Sequence, residues 1–353
     1  MDEKRPVNYR KLIRLTTLYI VVAGISMLII IPLFFLVSLS FLSAREAYQY
    51  PLPLLPALRA KFEIKQGDKG YLISIYDKET GEYQSVLDTT DTEKISNYMH
   101  TYLGLEMSET EIEAQIAKLD TQDVVYFSHA RNLWHNYQTF FRITRNAGSA
   151  LVRSLQIAAI TILISLVIGG MAGYAFARYV FAGRNALKFS VLFVRMFPAV
   201  AIAMPMALIF ARVGMYDKPL SLALIYSIGS IGLTVWITAS IFMGIPVSLE
   251  EAAQVFGATK LQAFIRITFP LALPGLAAAA MYAFLGAWNE TIMALILTQF
   301  NPTFPVVVYQ SLMGATGQVN LAAAGGMIMA LPAIVFTLFI RKYINQMWGG
   351  ITV

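Results

Sequence analysis

The chain of 353 residues contains no cysteine. That absence excludes disulfides, thiolate metal sites and a cysteine nucleophile together. Charge is also scarce: Asp, Glu, Lys and Arg make up 14% of residues, where an ordinary soluble domain has about 25%. There are three histidines, His100, His129 and His135. The last two are six apart, a poor spacing for two ligands on one helix face, and no calcium-loop spacing occurs. No metal site is expected. A G-x4-G-K-[S/T] phosphate loop is missing, so the chain is not expected to supply nucleotide chemistry itself. Fixed-period repeats and low-complexity tracts are missing too. With 57% hydrophobic residues and a mean hydropathy of +0.60, the composition excludes a single water-soluble globule and a disordered chain.

The few charges are unevenly placed. Residues 44–148 hold eleven basic and fifteen acidic residues, a net of −4, and all three histidines. The rest holds sixteen basic and six acidic residues, a net of +10. The chain reads as an apolar body with one polar insertion, and the overall +6 reads as loop charge rather than a nucleic-acid surface. A helical span needs about 20 predominantly apolar residues. Leu15–Leu42 is a charge-free run, too long for a signal peptide's apolar core of about 7–15 residues. Five further runs follow at Ser154–Ala177, Phe189–Ala211, Pro219–Met243, Leu271–Gln299 and Leu321–Ile340. The expected fold class is an all-α polytopic membrane protein with six spans. Its domains are 1–43 (N-terminus and first span), 44–148 (insertion) and 149–353 (a five-helix core).

Six spans put both termini on one side, and the basic residues say which. Lys4, Arg5, Arg10, Lys11 and Arg14 precede the first span, Arg178, Arg184 and Lys188 follow the second, Lys260 and Arg266 lie between the fourth and fifth, and Arg341 and Lys342 close the sixth. By the positive-inside rule this face is cytoplasmic, and the insertion faces outward. Within the insertion, Phe62–Lys65, Tyr71–Tyr76 and Glu82–Leu87 are β-type runs separated by turns at Gln66-Gly67-Asp68 and Glu79-Thr80-Gly81. Ile95, Tyr98, Met99 and Tyr102 have helical spacing, and Ser108 with Glu111 forms a capping box before Ile112. A small α+β extracytoplasmic module is expected.

The connection at 246–270 is the most informative segment. It reads as a helix, a glycine break, and a second helix ended near Pro270. Ser248 is placed to cap the first helix, and Glu250 and Glu251 suit the positive end of its dipole. Ala252 and Ala253 allow close approach by another surface, and Gly257 permits a sharp helix-to-helix turn. The expectation is a compact cytoplasmic knob with an acidic front.

Glu251-Ala252-Ala253, Gly257, Ile267 and Pro270 resemble the EAA loop of ABC importer permeases, EAA-x3-G-x9-I-x-L-P. Phe269 stands where Leu is usual. Tyr174-Ala175-Phe176-Ala177-Arg178, Gly183-Arg184, Met196-Phe197-Pro198 and Gly286-Ala287-Trp288-Asn289-Glu290 are similar to the carbohydrate-uptake branch, the maltose G-type permeases. The likeness covers roughly residues 135–345 and leaves out the insertion. It implies a non-catalytic inner-membrane permease subunit of a binding-protein-dependent carbohydrate importer. The implied partners are a second permease subunit, two ATPase subunits and an extracytoplasmic solute-binding protein, with ATP and Mg bound by the ATPase and no cofactor in this chain. Glu250, Glu251, Ala252, Ala253, Gly257, Ile267 and Pro270 are then the coupling residues that seat in the ATPase. The tail Gly349–Val353 is shorter than the family's usual ending.

Three other groups have two readings each. Trp288, Asn289 and Glu290 either line the sugar path or pack helices. Gly314, Gly317 and Gln318 either form the loop that probes the binding protein or turn the chain between spans. Arg195, near the start of the third run, either snorkels to the cytoplasmic face or bonds a neighbouring helix. For the whole chain the alternatives are an ABC importer for a non-sugar solute and, in a different class, a secondary transporter or membrane sensor. A secondary carrier would show repeated halves and midplane coupling-ion residues, and the sequence has neither.

Overall fold

A computed structural model describes residues 9–78, 80–144, 146–314 and 317–348. Lys4, Arg5, Glu79 and the tail Gly349–Val353 lie outside the described residues. The chain divides into two units, residues 1–142 with 315–327 and residues 143–314 with 328–353.

In the first unit, α1 (Tyr9–Phe41) is apolar on every side from Leu15 to Val37, as expected of a lipid-facing helix. A four-stranded antiparallel sheet follows, with β1 (Arg59–Gln66), β2 (Tyr71–Tyr76), β3 (Tyr83–Thr89) and β4 (Val124–Ala130) in the order β3-β2-β1-β4. Period-two alternation sorts its faces. Phe62 and Ile64 point to one side, opposite Ile75 and Ile73 of β2 and Phe127 and Val125 of β4. That side is covered by α2 (Thr92–Leu103) and α3 (Glu109–Ile116), which contribute Ile95, Met99 and Ile112 to a shared core. Asp91 caps α2, and Ser108 and Glu111 make the reciprocal capping box of α3. The sequence reading missed β4.

The module is stapled to the end of α1 by two buried side chains. Arg131 donates to the carbonyls of Phe41 (3.2 Å), Ala57 (3.2 Å) and Leu103 (2.9 Å) and pairs with Glu46 at 2.5 Å. Asn136, on α4 (His135–Ile143), donates to the carbonyls of Ser40 (2.8 Å) and Leu42 (2.7 Å). Asn320 in turn donates to Asn136 Oδ1.

The second unit is helical. It holds α5 (Ala147–Ile164), a π turn (Ser165–Gly169), α6 (Gly170–Arg178), α7 (Arg184–Val194), α8 (Ala199–Arg212) and α9 (Pro219–Gly244). Next come α10 (Val247–Val255), α11 (Lys260–Ala263), a second π turn (Phe264–Thr268) and α12 (Phe269–Trp288). Two short helices, α13 (Ile292–Leu297) and α14 (Phe304–Met313), precede α15 (Val319–Trp348), whose first residues belong to the other unit. Helix α9 is the buried centre, packed by α5, α6, α7 and α12. Its Ser227, Thr234 and Thr238 hydroxyls bond carbonyls one turn back, which satisfies them without water. Close packing here requires glycine. A Cβ on Gly173 would overlap Thr238 Oγ1, and one on Gly275 would overlap Ile241.

Among the described residues five helices are long and apolar enough to cross a bilayer: Arg14–Phe41, Ala147–Arg178, Pro219–Gly244, Lys260–Trp288 and Val319–Tyr343. The expected third span, Phe189–Ala211, is instead two shorter helices, α7 and α8. The break falls between Arg195 and Pro198, because the residue before a proline is pushed out of the helical region and Pro198 cannot donate to the ladder. The expected fifth span also differs. Expected over Leu271–Gln299, it starts eleven residues earlier, at Lys260, and stops at Trp288. Pro270 does not end the helix, since the π turn before it widens the ladder where the proline's missing N–H would otherwise leave a gap.

Candidate functional site

The 246–270 connection folds as a protruding helix–turn–helix. Pro246 occupies the cap position of α10, so Ser248 lies inside the helix and makes no cap bond, contrary to the sequence expectation. The helix ends through bonds from Phe256 N to the Ala252 carbonyl and from Ala258 N to the Ala253 carbonyl (3.1 and 3.0 Å), with Gly257 at φ +88°. That is the left-handed stop for which glycine is suited. Thr259 and Gln262 then form a reciprocal capping box that starts α11.

The two acids of the knob separate. Adjacent helical residues differ by about 100° around the axis, so one faces in while the other faces out. Glu250 is buried and Glu251 is exposed. Tyr174 Oη (2.7 Å), Arg178 Nε (2.8 Å) and Thr268 Oγ1 (2.7 Å) all donate to the Glu250 carboxylate. Arg178 Nη1 and Nη2 donate to the Phe242 and Ile245 carbonyls at the end of α9. Side-chain exposure of Arg178 and Glu250 is 6% and 8%. Burial pushes the Glu250 carboxyl up, but the bonds from Thr268, Tyr174 and Arg178 outweigh it and hold the group below its ordinary value. Helices α6, α9, α10 and the π turn before α12 thus converge on one ion pair.

Of the two acids expected on the outward face only Glu251 is exposed, and the tip of the knob is apolar. Val255 is 84% and Phe256 90% exposed, with Leu261 beside them. Ala252, Gly257 and Pro270 are also exposed, while Ala253 and Ile267 are half-buried. The sequence reading missed Tyr174, Arg178 and Thr268 as the knob's anchors. Tyr174 and Arg178 stand in one sequence motif, but nothing local links them to Glu250, 72 residues away in the case of Arg178.

A second feature is a cavity of about 240 Å³ whose walls include Arg195, Tyr226, Ser230, Tyr282 and Glu290. The Arg195 guanidinium lies 4.9 Å from the Tyr282 ring centre. Glu290 accepts from Tyr226 Oη (2.9 Å) and from the amides of Met293 and Ala294. Trp288 is fully buried, stacked on Phe284 and bonded to the Met329 carbonyl, and it does not reach this cavity. Asn289 ends α12 and is exposed. Gly317, whose carbonyl accepts from Tyr48 Oη, and Gln318 lie in the first unit, whereas Gly314 ends α14 in the second.

Helices of membrane length and a protruding two-helix knob place the molecule among multi-pass membrane proteins. The chain belongs to the family described as the inner membrane component of binding-protein-dependent transport systems, which it matches over residues 165–348. It is similar to the trehalose transport system permease protein SugB of Mycobacterium tuberculosis, 36% identical over 216 residues, 59% of this chain and 77% of that one. It is also similar to the maltodextrin transport system permease protein MdxG of Bacillus subtilis, 31% identical over 201 residues, 56% of this chain and 72% of that one. Among solved structures, a chain of a bacterial ABC transporter involved in import of the acidic polysaccharide alginate covers 97% of this chain and 99% of itself. Its TM-score is 0.58 at 16% identity, a likeness of fold.

Proposed function

We infer that the chain is the permease subunit of an ATP-driven, binding-protein-dependent importer of carbohydrate. It works beside a second permease, two ATPase subunits and an extracytoplasmic solute-binding protein. The observation that supports this most is the knob itself: an exposed apolar tip with Glu251 at its side, braced on a buried ion pair. Such an element seats in a partner's cleft and passes on a rigid two-state motion. ATP and Mg belong to the partner ATPase, and this chain is non-catalytic. The trehalose and maltodextrin relatives support carbohydrate as the solute. Membrane topology follows the charge pattern, with both termini cytoplasmic, residues 44–148 outside, and six crossings of which α7 and α8 together make the third. Glu290 and the cavity it shares with Arg195 and Tyr282 lie on the solute path. Gly314, Gly317 and Gln318 face the binding protein.

Co-purification with the ATPase, followed by transport in vesicles, tests the reading. Phe256→Asp and Glu251→Lys should each release the ATPase and abolish uptake while the permease remains folded. Full uptake with no ATPase associated would sink the assignment. ATPase stimulation by loaded peptide- or amino-acid-binding proteins alone would sink the carbohydrate reading.

A further inference from the structure

Directly after α1 the chain runs from Tyr48 to Leu58 through Tyr50, Leu52, Leu54 and Leu55, with Pro51, Pro53 and Pro56 between them. Tyr50 is 97% and Leu55 72% exposed, and Leu54 and Leu58 also face outward. So much apolar surface in one stretch marks an interaction site rather than a free loop. Its backbone is held in place. Ser38 of α1 donates to the Leu54 carbonyl at 2.6 Å, and Glu46 accepts from Ala57 N at 3.0 Å. Ser38 precedes the end of α1 by three residues, so Leu54 is tied about 4–5 Å inside that end. The exposed leucines therefore continue the apolar belt of a span whose mean hydropathy reaches 2.9. In a bilayer crossed by α1 they would sit where hydrocarbon gives way to headgroups.

Behind the leucines lies a cleft of about 310 Å³, lined by Arg45, Arg59, Lys61 and Lys78 together with Pro53 and Leu55. Its wall carries two acids, Glu46, which pairs with Arg131, and Asp77, against four further cations. Among the described residues none of those four forms an ion pair. Arg45 Nη2 donates to Gln84 Oε1 at 2.9 Å, while its buried Nη1 has no acceptor among the described residues.

We propose that this cleft binds the phosphate of an anionic phospholipid headgroup, with the Tyr50–Leu58 loop lying among the same lipids. The shared chemistry with free phosphate is the anionic oxygen set. The leucine rim and the tether to α1 select the lipid. The inference rests on α1 crossing the bilayer, as read above, and is independent of the solute and of ATPase coupling.

The cysteine-free chain permits a direct test. Full-length Leu55→Cys and Gly24→Cys, the latter in open space on α1, are labelled with bimane. Each is reconstituted with its co-purifying subunits in phosphatidylcholine nanodiscs, with or without phosphatidylglycerol, carrying shallow or deep nitroxide lipids. The Leu55 label should be quenched by shallow nitroxides and the Gly24 label by deep ones. In native mass spectrometry the chain should retain phosphatidylglycerol over phosphatidylcholine. Each Lys or Arg near an anionic surface is worth about fivefold. Arg59→Glu with Lys61→Glu should therefore weaken that retention about 25-fold or more, while Lys69→Glu with Lys118→Glu should not. An unquenched Leu55 label beside a quenched Gly24 label overturns the proposal and leaves the span intact. If the Gly24 label is unquenched too, span and site fall together. Equal retention of both lipids, displacement by inorganic phosphate, or a Leu55 label shielded by a second subunit each overturns the lipid site.

Discussion

The Glu250–Arg178 pair makes a quantitative claim. Arg178→Met keeps the side-chain length but leaves a buried carboxylate with two neutral donors, Tyr174 and Thr268, and strips the Phe242 and Ile245 carbonyls of theirs. Removing one partner of a buried pair costs about 3–5 kcal/mol. Because the pair joins α10 to α6 and α9, the loss should appear as local opening of the knob before global unfolding. At about 1.4 kcal/mol per decade, 4 kcal/mol raises the opening equilibrium about a thousandfold. Hydrogen exchange of the α10 amides in detergent reads that directly. Glu250→Gln should cost less, about 2 kcal/mol, since its oxygen still accepts. The double variant should recover part of the sum, with a coupling of about 2–3 kcal/mol. The carboxyl's folded pKa lies below its ordinary 4.5, so this stabilisation is complete above that value and is lost as pH falls through the lower, folded one. Unchanged α10 exchange in Arg178→Met, or strict additivity of the two single variants, would refute the strut.

Gly257→Ala places a Cβ at φ +88° and should cost about 1–2 kcal/mol, read as a lower melting temperature of the knob or weaker ATPase retention. Gly173→Val drives methyl groups into Thr238. It should destabilise the helical core by about 3 kcal/mol or more, measured as loss of the monodisperse peak on heating. His135 is buried beside His100, Arg142 and Arg131, and burial foremost, then those charges, lower it to about 4 from 6.5. The unfolded chain takes up the proton first, so the module's stability should fall by about 3 kcal/mol between pH 6.5 and 4. His135→Gln should flatten that profile in pH-dependent thermal melts, and an unaltered slope would disprove the assignment.

What the sequence revealed was local or compositional. Apolar runs located the membrane helices, and β-type runs between glycine-containing turns located β1 to β3. Gly257 and the Ser108–Glu111 box were readable because capping involves residues three or four apart. The α7–α8 break was hidden because Pro198 within an apolar run fits a kinked span as well as a broken one. Val124–Ala130 escaped notice because few residues of β4 face the core, while Tyr126, Ser128 and Ala130 point to solvent. Ser248 was misread because Pro246 starts the helix earlier. Glu250's inward turn needed a partner far along the chain, which no local pattern reveals.

Arg131 also sets an order of events during synthesis. Its hydrogen bond to the Phe41 carbonyl spans 90 residues, and translation adds about 5–20 residues per second. For about 5–18 s the first apolar helix is complete while the polar segment behind it is still being synthesised, with Arg131 not yet available to Glu46. Closure of the clamp waits for the last strand. A translational stall inside that window would leave α1 followed by an unfinished, protease-sensitive module.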